Sequence, residues 1–237
     1  MTRTLLTAAA LAVALARSGD SLIAQFRQAS PEGTAATQVR GKYVGGGDEP
    51  RYEGGKWIES TYGRPIKRGR DLWGSGASYG RMLNNGAPVW RAGANVSTRL
   101  KTEVPLVVNG TTIAPGEYSL FIDLKPNNWT LIVSNWKASQ EFPSRDKDAL
   151  FGAFDYTPDK DVVRAPMKLD ALQQSIDQLT WTFLDVSDAG RTLAIQWDKV
   201  MASVPFRIVS RNFYGFFGGS MCLVDSSFSL QMNSIIS

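Results

Sequence analysis

Between residues 56 and 206 the chain alternates apolar and polar positions in short runs separated by turn residues. Residues 56–62 (KWIESTY) alternate and predict a half-buried strand. Residues 99–136 hold the clearest pattern. Asn109-Gly110 is a hairpin signal, because a type I′ turn needs positive φ at its central residues. Ala114-Pro115-Gly116 predicts a second turn, with Pro pre-setting φ and Gly taking positive φ. Residues 118–124 and 129–135 then read as strands around the four-residue turn 125–128. Residues 150–169 predict two strands around Pro158-Asp159. Residues 179–200 predict a hairpin turning at Asp188-Ala189-Gly190. In it Leu179, Trp181 and Phe183, with Leu193, Ile195 and Trp197 opposite, fall at period two and mark a core face. Residues 168–178 leave room for one short helical turn. Eight or more short strands with regular turn signals predict an all-β, antiparallel β-sandwich, or a barrel-like closure, in a single domain.

The flanks differ. Residues 25–55 are polar, Gly-rich and aperiodic, and read as a flexible linker or loosely packed arm. Residues 207–237 are rich in Ser, Phe and Gly and poor in charge, and read as a C-terminal extension that is either an extra hairpin, an aggregation-prone tail or a terminus altered at gene level. Residues 1–24 place Arg3 before an uninterrupted run from Leu5 to Ala16, apolar apart from Thr7. That run is shorter than the ~20 residues that span a bilayer. It predicts a signal peptide cleaved after Ala16 or Ala24, hence a periplasmic or secreted protein. No Cys stands near the end of the run, which argues against a lipoprotein anchor, and no later stretch predicts a transmembrane segment.

Composition narrows the chemistry. The 237 residues include no His and one Cys, Cys222. Without imidazole, a Ser-His relay is excluded, and with one Cys a structural zinc site is too. Oxygen-ligand sites for Ca²⁺ or Mg²⁺ stay open, but no motif calls for a cofactor or metal. The net charge of +4 divides unevenly: residues 40–101 carry +7 and residues 102–237 carry −4. A basic segment attracts an anionic small molecule or glycan, or else the other half of the same fold. An exported chain with no recognisable nucleic-acid module predicts no nucleic-acid partner.

Several short motifs carry residue types used in catalysis or metal binding. Gly76-Ala77-Ser78-Tyr79-Gly80 spells the nucleophile-elbow pattern, yet its serine has no histidine to activate it. Ser134-Asn135-Trp136-Lys137 matches a Ser-x-x-Lys spacing but ends a strand instead of opening a helix. Asp155, Asp159 and Asp161 lie close enough for a cation, without the EF-hand glycine and closing glutamate. Asn95, Asn109 and Asn128 head formal glycosylation triplets that read as turn chemistry. None of these supplies a catalytic residue.

Two blocks concentrate Arg, Gly and aromatics: residues 62–74 (YGRPIKRGRDLWG) and residues 89–98 (VWRAGANVST). Arg forks hold carboxylate or phosphate by two points, and aromatic faces stack on sugars or cations. Arg also satisfies the carbonyls of tight Gly turns, and Trp fills cores. The binding reading is a shallow pocket lined by Arg64, Arg70, Arg91 and Asn95, walled by Tyr62 and Trp90. The architectural reading uses the same residues for corners and core.

These blocks, with VNGTTIAPGEYSLF, NWTLIVSN, FGAFDYTPDKDVVRAPMKL and IQWDKVMASVPF, together resemble the DUF2911 family, exported bacterial proteins whose function is not established. The resemblance spans about residues 56–206, with six blocks in order. It implies an envelope β domain and no reaction. Val96 stands where the family pattern usually has Glu, and Pro115-Gly116 replaces an Ala-Gly order. Residues 75–88 are longer than the spacing that pattern usually shows.

The expectation is a non-enzymatic ligand- or partner-binding domain. One alternative is a His-independent hydrolase of envelope or extracellular glycans, which needs two carboxylates about 5–10 Å apart in a cleft. Another is an assembly protein that self-associates through the C-terminal tail.

Overall fold

A computed structural model describes residues 29–46 and 50–209, and the backbone of 214–217 and 220–223. The signal-peptide reading and Cys222's side chain lie outside these limits.

Sixteen strands are present among the described residues, and the fold is all-β. Six antiparallel strands form one sheet, in the order β1 (Glu32–Val39), β4 (Lys56–Gly63), β5 (Thr98–Thr102), β8 (Gly116–Asp123), β9 (Thr130–Ser134) and β12 (Asp161–Pro166). A second sheet runs β13 (Lys168–Leu184), β14 (Gly190–Ile208), β6 (Leu106–Val108), β7 (Thr111–Ile113). Their inner faces meet in one core. Ile58, Leu100, Leu120, Ile122, Leu131 and Val133 come from the first sheet, and Leu106, Leu179, Trp181, Leu193, Ile195 and Phe206 from the second. Period two holds at both faces.

The hairpin signals correspond to real turns. Asn109 (φ 47°) and Gly110 (φ 78°) join β6 to β7. Trp181 pairs with Ile195 and Phe183 with Leu193, on the face the alternation marked. Gly116 differs from expectation: it stays out of the left-handed region and begins β8, so the Ala114-Pro115 turn carries the chain from one sheet to the other.

Four local expectations need correction. Residues 32–39, read as part of a linker, pair with all eight residues of β4, from Glu32↔Gly63 to Val39↔Lys56. Their small side chains give little hydrophobic signal, and the ladder to β4 decides instead. The rest of that stretch includes the hairpin β2 (Lys42–Val44) and β3 (Arg51–Glu53). Residues 168–178 are strand throughout, because Lys168–Ala171 pair with Val200–Ser203. Register shifts after Ala171 and Ile176, beside Asp198 at φ 52°, mark bulges there. The first of the two strands expected around Pro158 shrinks to β11 (Ala149–Leu150), parallel to β10 (Lys137–Ala138). The chain then turns through Gly152 (φ 67°) and Asp155 (φ 62°) and lays Leu150, Ala153 and Tyr156 over Phe121 and Ile132 on the outer face of β8 and β9. Finally, β14 continues past residue 206 to Ile208. Beyond it β15 (Tyr214–Phe217) and β16 (Ser220–Leu223) pair as a separate two-stranded sheet.

Candidate functional site

The two Arg-Gly blocks meet at one corner of the sandwich. Gly63 ends β4, and a Cβ there would collide with the carbonyl of Ala94, so only glycine lets the two backbones touch. Arg64 N–H donates to Pro31 O at 2.9 Å, and the Asn95 side-chain amide donates to Ser30 O at 3.2 Å. Asn95 itself is left-handed at φ 62°, a conformation asparagine tolerates. Between these turns lies a cleft of about 450 Å³ lined by Glu32, Gly63, Asn95, Val96, Gln140 and Phe151, among others.

The six residues proposed from sequence do not share one role. Asn95 lines the cleft. Arg91 lies just behind it: its Nη1 donates to Asn95 O at 2.8 Å, and its guanidinium sits 5.2 Å over the Phe154 ring. Burial pulls the Arg91 pKa below the ordinary arginine value. Arg64 is half-buried and lies across Gly33, where only the missing Cβ gives it room. Arg70 turns back on its own loop and donates to the carbonyls of Lys67 (2.9 Å) and Ile66 (2.6 Å). It therefore does not line the cleft.

Tyr62 and Trp90 are not walls. They are 5% and 1% exposed, inside the core. Tyr62 Oη donates to Trp181 O, and Trp90 stacks on Trp197 with centroids 6.1 Å apart at 15°. Trp73 and Trp129 complete a four-tryptophan cluster with them. The Trp content of the two blocks is thus core filling. Tyr79, from the Gly-rich loop, accepts the Trp129 indole N–H at 2.8 Å.

A family model described as "Protein of unknown function (DUF2911)" matches residues 50–206. The chain belongs to the DUF2911 family. Nothing among curated proteins or solved structures matches it. The matched span takes in both sheets of the DUF2911 domain except β1, the β2 side of the first hairpin and the last two residues of β14.

The short motifs have structural duties in this domain. Ser78 Oγ donates to Ser75 O at 2.7 Å inside a 3₁₀ turn (Gly76–Ser78), so the G-x-S-x-G serine is tied into its loop. Ser134 is fully buried, and its hydroxyl donates to Lys160 O, while Lys137 reaches Asp146. Asp161 accepts from Tyr156 (2.7 Å) and from Arg164 (2.9 Å). Burial and that hydrogen bond to Asp161 both push the Tyr156 pKa up. Asp159 is held by Thr157. Among the described residues, no group of His, Cys, Asp or Glu is arranged to hold a metal ion. No helix among them is long and apolar enough to cross a membrane.

Sequence reasoning did not find Glu32, Gln140 or Phe151, which line the cleft. They come from three loops or strand ends spread over more than a hundred residues, and no spacing rule links them. Val96 carried a signal, as the position where a usual Glu is replaced.

Proposed function

We propose that this protein is exported and that its corner cleft binds a neutral, polar ligand, a saccharide, without transforming it. The carrying observation is the chemistry of the lining. Among the described residues Glu32 is its one acidic side chain, and Glu32 is already ion-paired with Arg99 at 2.9 Å. Carboxylate-based glycoside hydrolysis needs a second acid across the cleft. What remains is Ser30, Gln140, Asn95 (its amide donating to the Ser30 carbonyl) and backbone groups beside the Phe151 ring. That mix suits hydroxyl groups on one side of a sugar and its apolar face on the other. Arg70 and Arg91 are engaged with carbonyls and offer the cleft no free two-point fork. Export rests on the sequence of residues 1–24.

The reading is tested by a thermal-shift screen against neutral oligosaccharides, with Gln140→Ala and Phe151→Ala beside the parent. A sugar that raises the parent's Tm and fails to shift folded variants supports it. Release of shorter sugars from the same ligand, seen by mass spectrometry, would overturn it in favour of a hydrolase.

A further inference from the structure

A second cleft, of about 590 Å³, opens between the β2–β3 hairpin and the turn joining β13 to β14. Gln38 lines it, whereas Glu32 of the same strand lines the corner cleft. Six residues of extended strand separate the two sites by ~20 Å. The far cleft is built with some care. Tyr43 and Tyr52 stand opposite each other on the hairpin, with ring centroids 5.1 Å apart at 63°. The Tyr52 ring lies on Gly41, where a Cβ would collide with it, and its hydroxyl accepts the Gly41 N–H at 2.9 Å. Arg40 N–H donates to Asp188 Oδ1 at 3.3 Å and ties the hairpin to the turn. Tyr43 and Val186, both lining residues, are 73% and 56% exposed.

Arg191 also lines this cleft and is only 4% exposed. Its Nη1 donates to Gly190 O at 3.0 Å. Its Nε is buried with no partner among the described residues, and the same holds for Nη2 of neighbouring Arg40. None of the ion pairs among the described residues includes Arg191. Burial lowers its pKa, and the influence of Asp188 and Tyr52 in the other direction does not make up the difference. A buried cation without a counter-ion is destabilising, and an apolar side chain would pack there without that cost. Charges kept at such a disadvantage cluster at functional sites. A guanidinium that lines a cleft with part of its donor set unused can take up a carboxylate oxygen. Lys42 adds a second positive charge at the lip. The exposed Tyr43 ring, set edge-to-face on Tyr52, and Val186 add apolar surface of the kind a pyranose ring covers.

We propose that this far cleft binds a carboxylate-bearing sugar of the uronic acid class, with Arg191 holding the carboxylate and Tyr43 and Tyr52 flanking the ring. Asp188 accepts from the Arg40 backbone and acts on Arg191 through space, but the two form no ion pair. The corner cleft plays no part here, so each reading can fail while the other stands.

The test is isothermal titration of the full chain with glucuronate, glucose and inorganic phosphate. Glucuronate is expected to bind, and to bind less as salt is added. Glucose, lacking the charge-assisted contact, is expected to bind at least about tenfold more weakly. Arg191→Gln should lower glucuronate affinity by a similar factor. Tyr43→Ala, at a surface position, should weaken it while leaving the melting curve intact. The proposal is overturned if glucuronate gives no heat, if glucose binds equally well, or if phosphate binds where glucuronate does not. It is overturned equally if folded Arg191→Gln keeps full affinity. Should Arg191→Gln not fold, Tyr43→Ala and Lys42→Ala decide, and unchanged affinity in both overturns it.

Discussion

At the corner of the sandwich, half-buried Arg91 is occupied by the Asn95 carbonyl and the Phe154 ring, and Arg70 by two carbonyls of its own loop. At the far end, Arg191 is more deeply buried and makes no bond beyond the carbonyl of its own neighbour Gly190; its Nε, like that of Arg64 at the corner, has no partner among the described residues. The corner looks more like a site in the sequence, because Arg and Gly crowd together there. Physically, the crowding has another cause. Gly turns leave carbonyls that strands do not satisfy, and a guanidinium with five donors closes several at once. Arg191 stands at the start of an alternating strand and spends Nη1 on the Gly190 carbonyl of the adjoining turn, while its Nε finds no partner among the described residues.

Substitutions can break this contrast, and the largest effect belongs to the core behind the corner. Trp90→Ala removes the centre of the four-tryptophan cluster and is expected to cost about 3–5 kcal/mol of stability, measured by urea denaturation. A folded variant that lost ligand binding at unchanged stability would instead return Trp90 to the pocket wall. Gly63→Ala sets a methyl group against the Ala94 carbonyl, which is backbone and cannot swing away. A loss of about 2–3 kcal/mol should follow, with the corner cleft distorted. Arg91→Ala strips a donor from the Asn95 carbonyl and a cation from the Phe154 ring; a lowering by about 1–3 kcal/mol is expected, with far-cleft binding untouched.

The Lys67–Asp198 ion pair fastens the first Arg-Gly block to β14 and gives the contrast a pH signature. Burial pushes the Asp198 pKa up, but the hydrogen bonds from Lys67 and Ser175 outweigh it and hold the carboxyl below its ordinary value. A depressed folded pKa gives stability that is complete above the unfolded value of about 3.9 and is lost as the pH falls through the folded one. Asp198→Asn should therefore be less stable than the parent by a constant amount, about 1–2 kcal/mol, above pH 5. The gap should close below about pH 4 as the parent loses the same pair. A gap independent of pH would assign the loss to packing. The smallest effect is expected from Arg70→Ala, under about 1 kcal/mol, since its two carbonyls lie at the surface and water replaces the guanidinium.

Much of the sheet framework was legible because it is written locally. The Asn109-Gly110 turn and the alternation of Leu179, Trp181 and Phe183 each specify a hairpin within a few residues. β1 was not legible, since EGTAATQV has small side chains and its eight-residue ladder to β4 is set 24 residues away. Residues 168–178 carry a mixed pattern that pairing with β14 resolves as strand. The candidate site was legible only in part: Asn95 and Arg91 lie at the corner, while Tyr62 and Trp90 went into the core. Aromatic residues beside Gly turns fill space as readily as they bind, and sequence alone does not show which side of a strand they occupy. Arg191 gave no signal, because Tyr43 and Tyr52 lie about 140–150 residues earlier in the chain.

The most direct measurement compares Arg91→Ala with Arg191→Gln in parallel urea denaturation and glucuronate titration. The account predicts a crossed result: Arg91→Ala is less stable and binds as the parent does, while Arg191→Gln is as stable as the parent or more so and binds weakly. If Arg91→Ala instead loses binding at full stability and Arg191→Gln loses stability at full binding, the assignment of the two ends is reversed and the account is wrong.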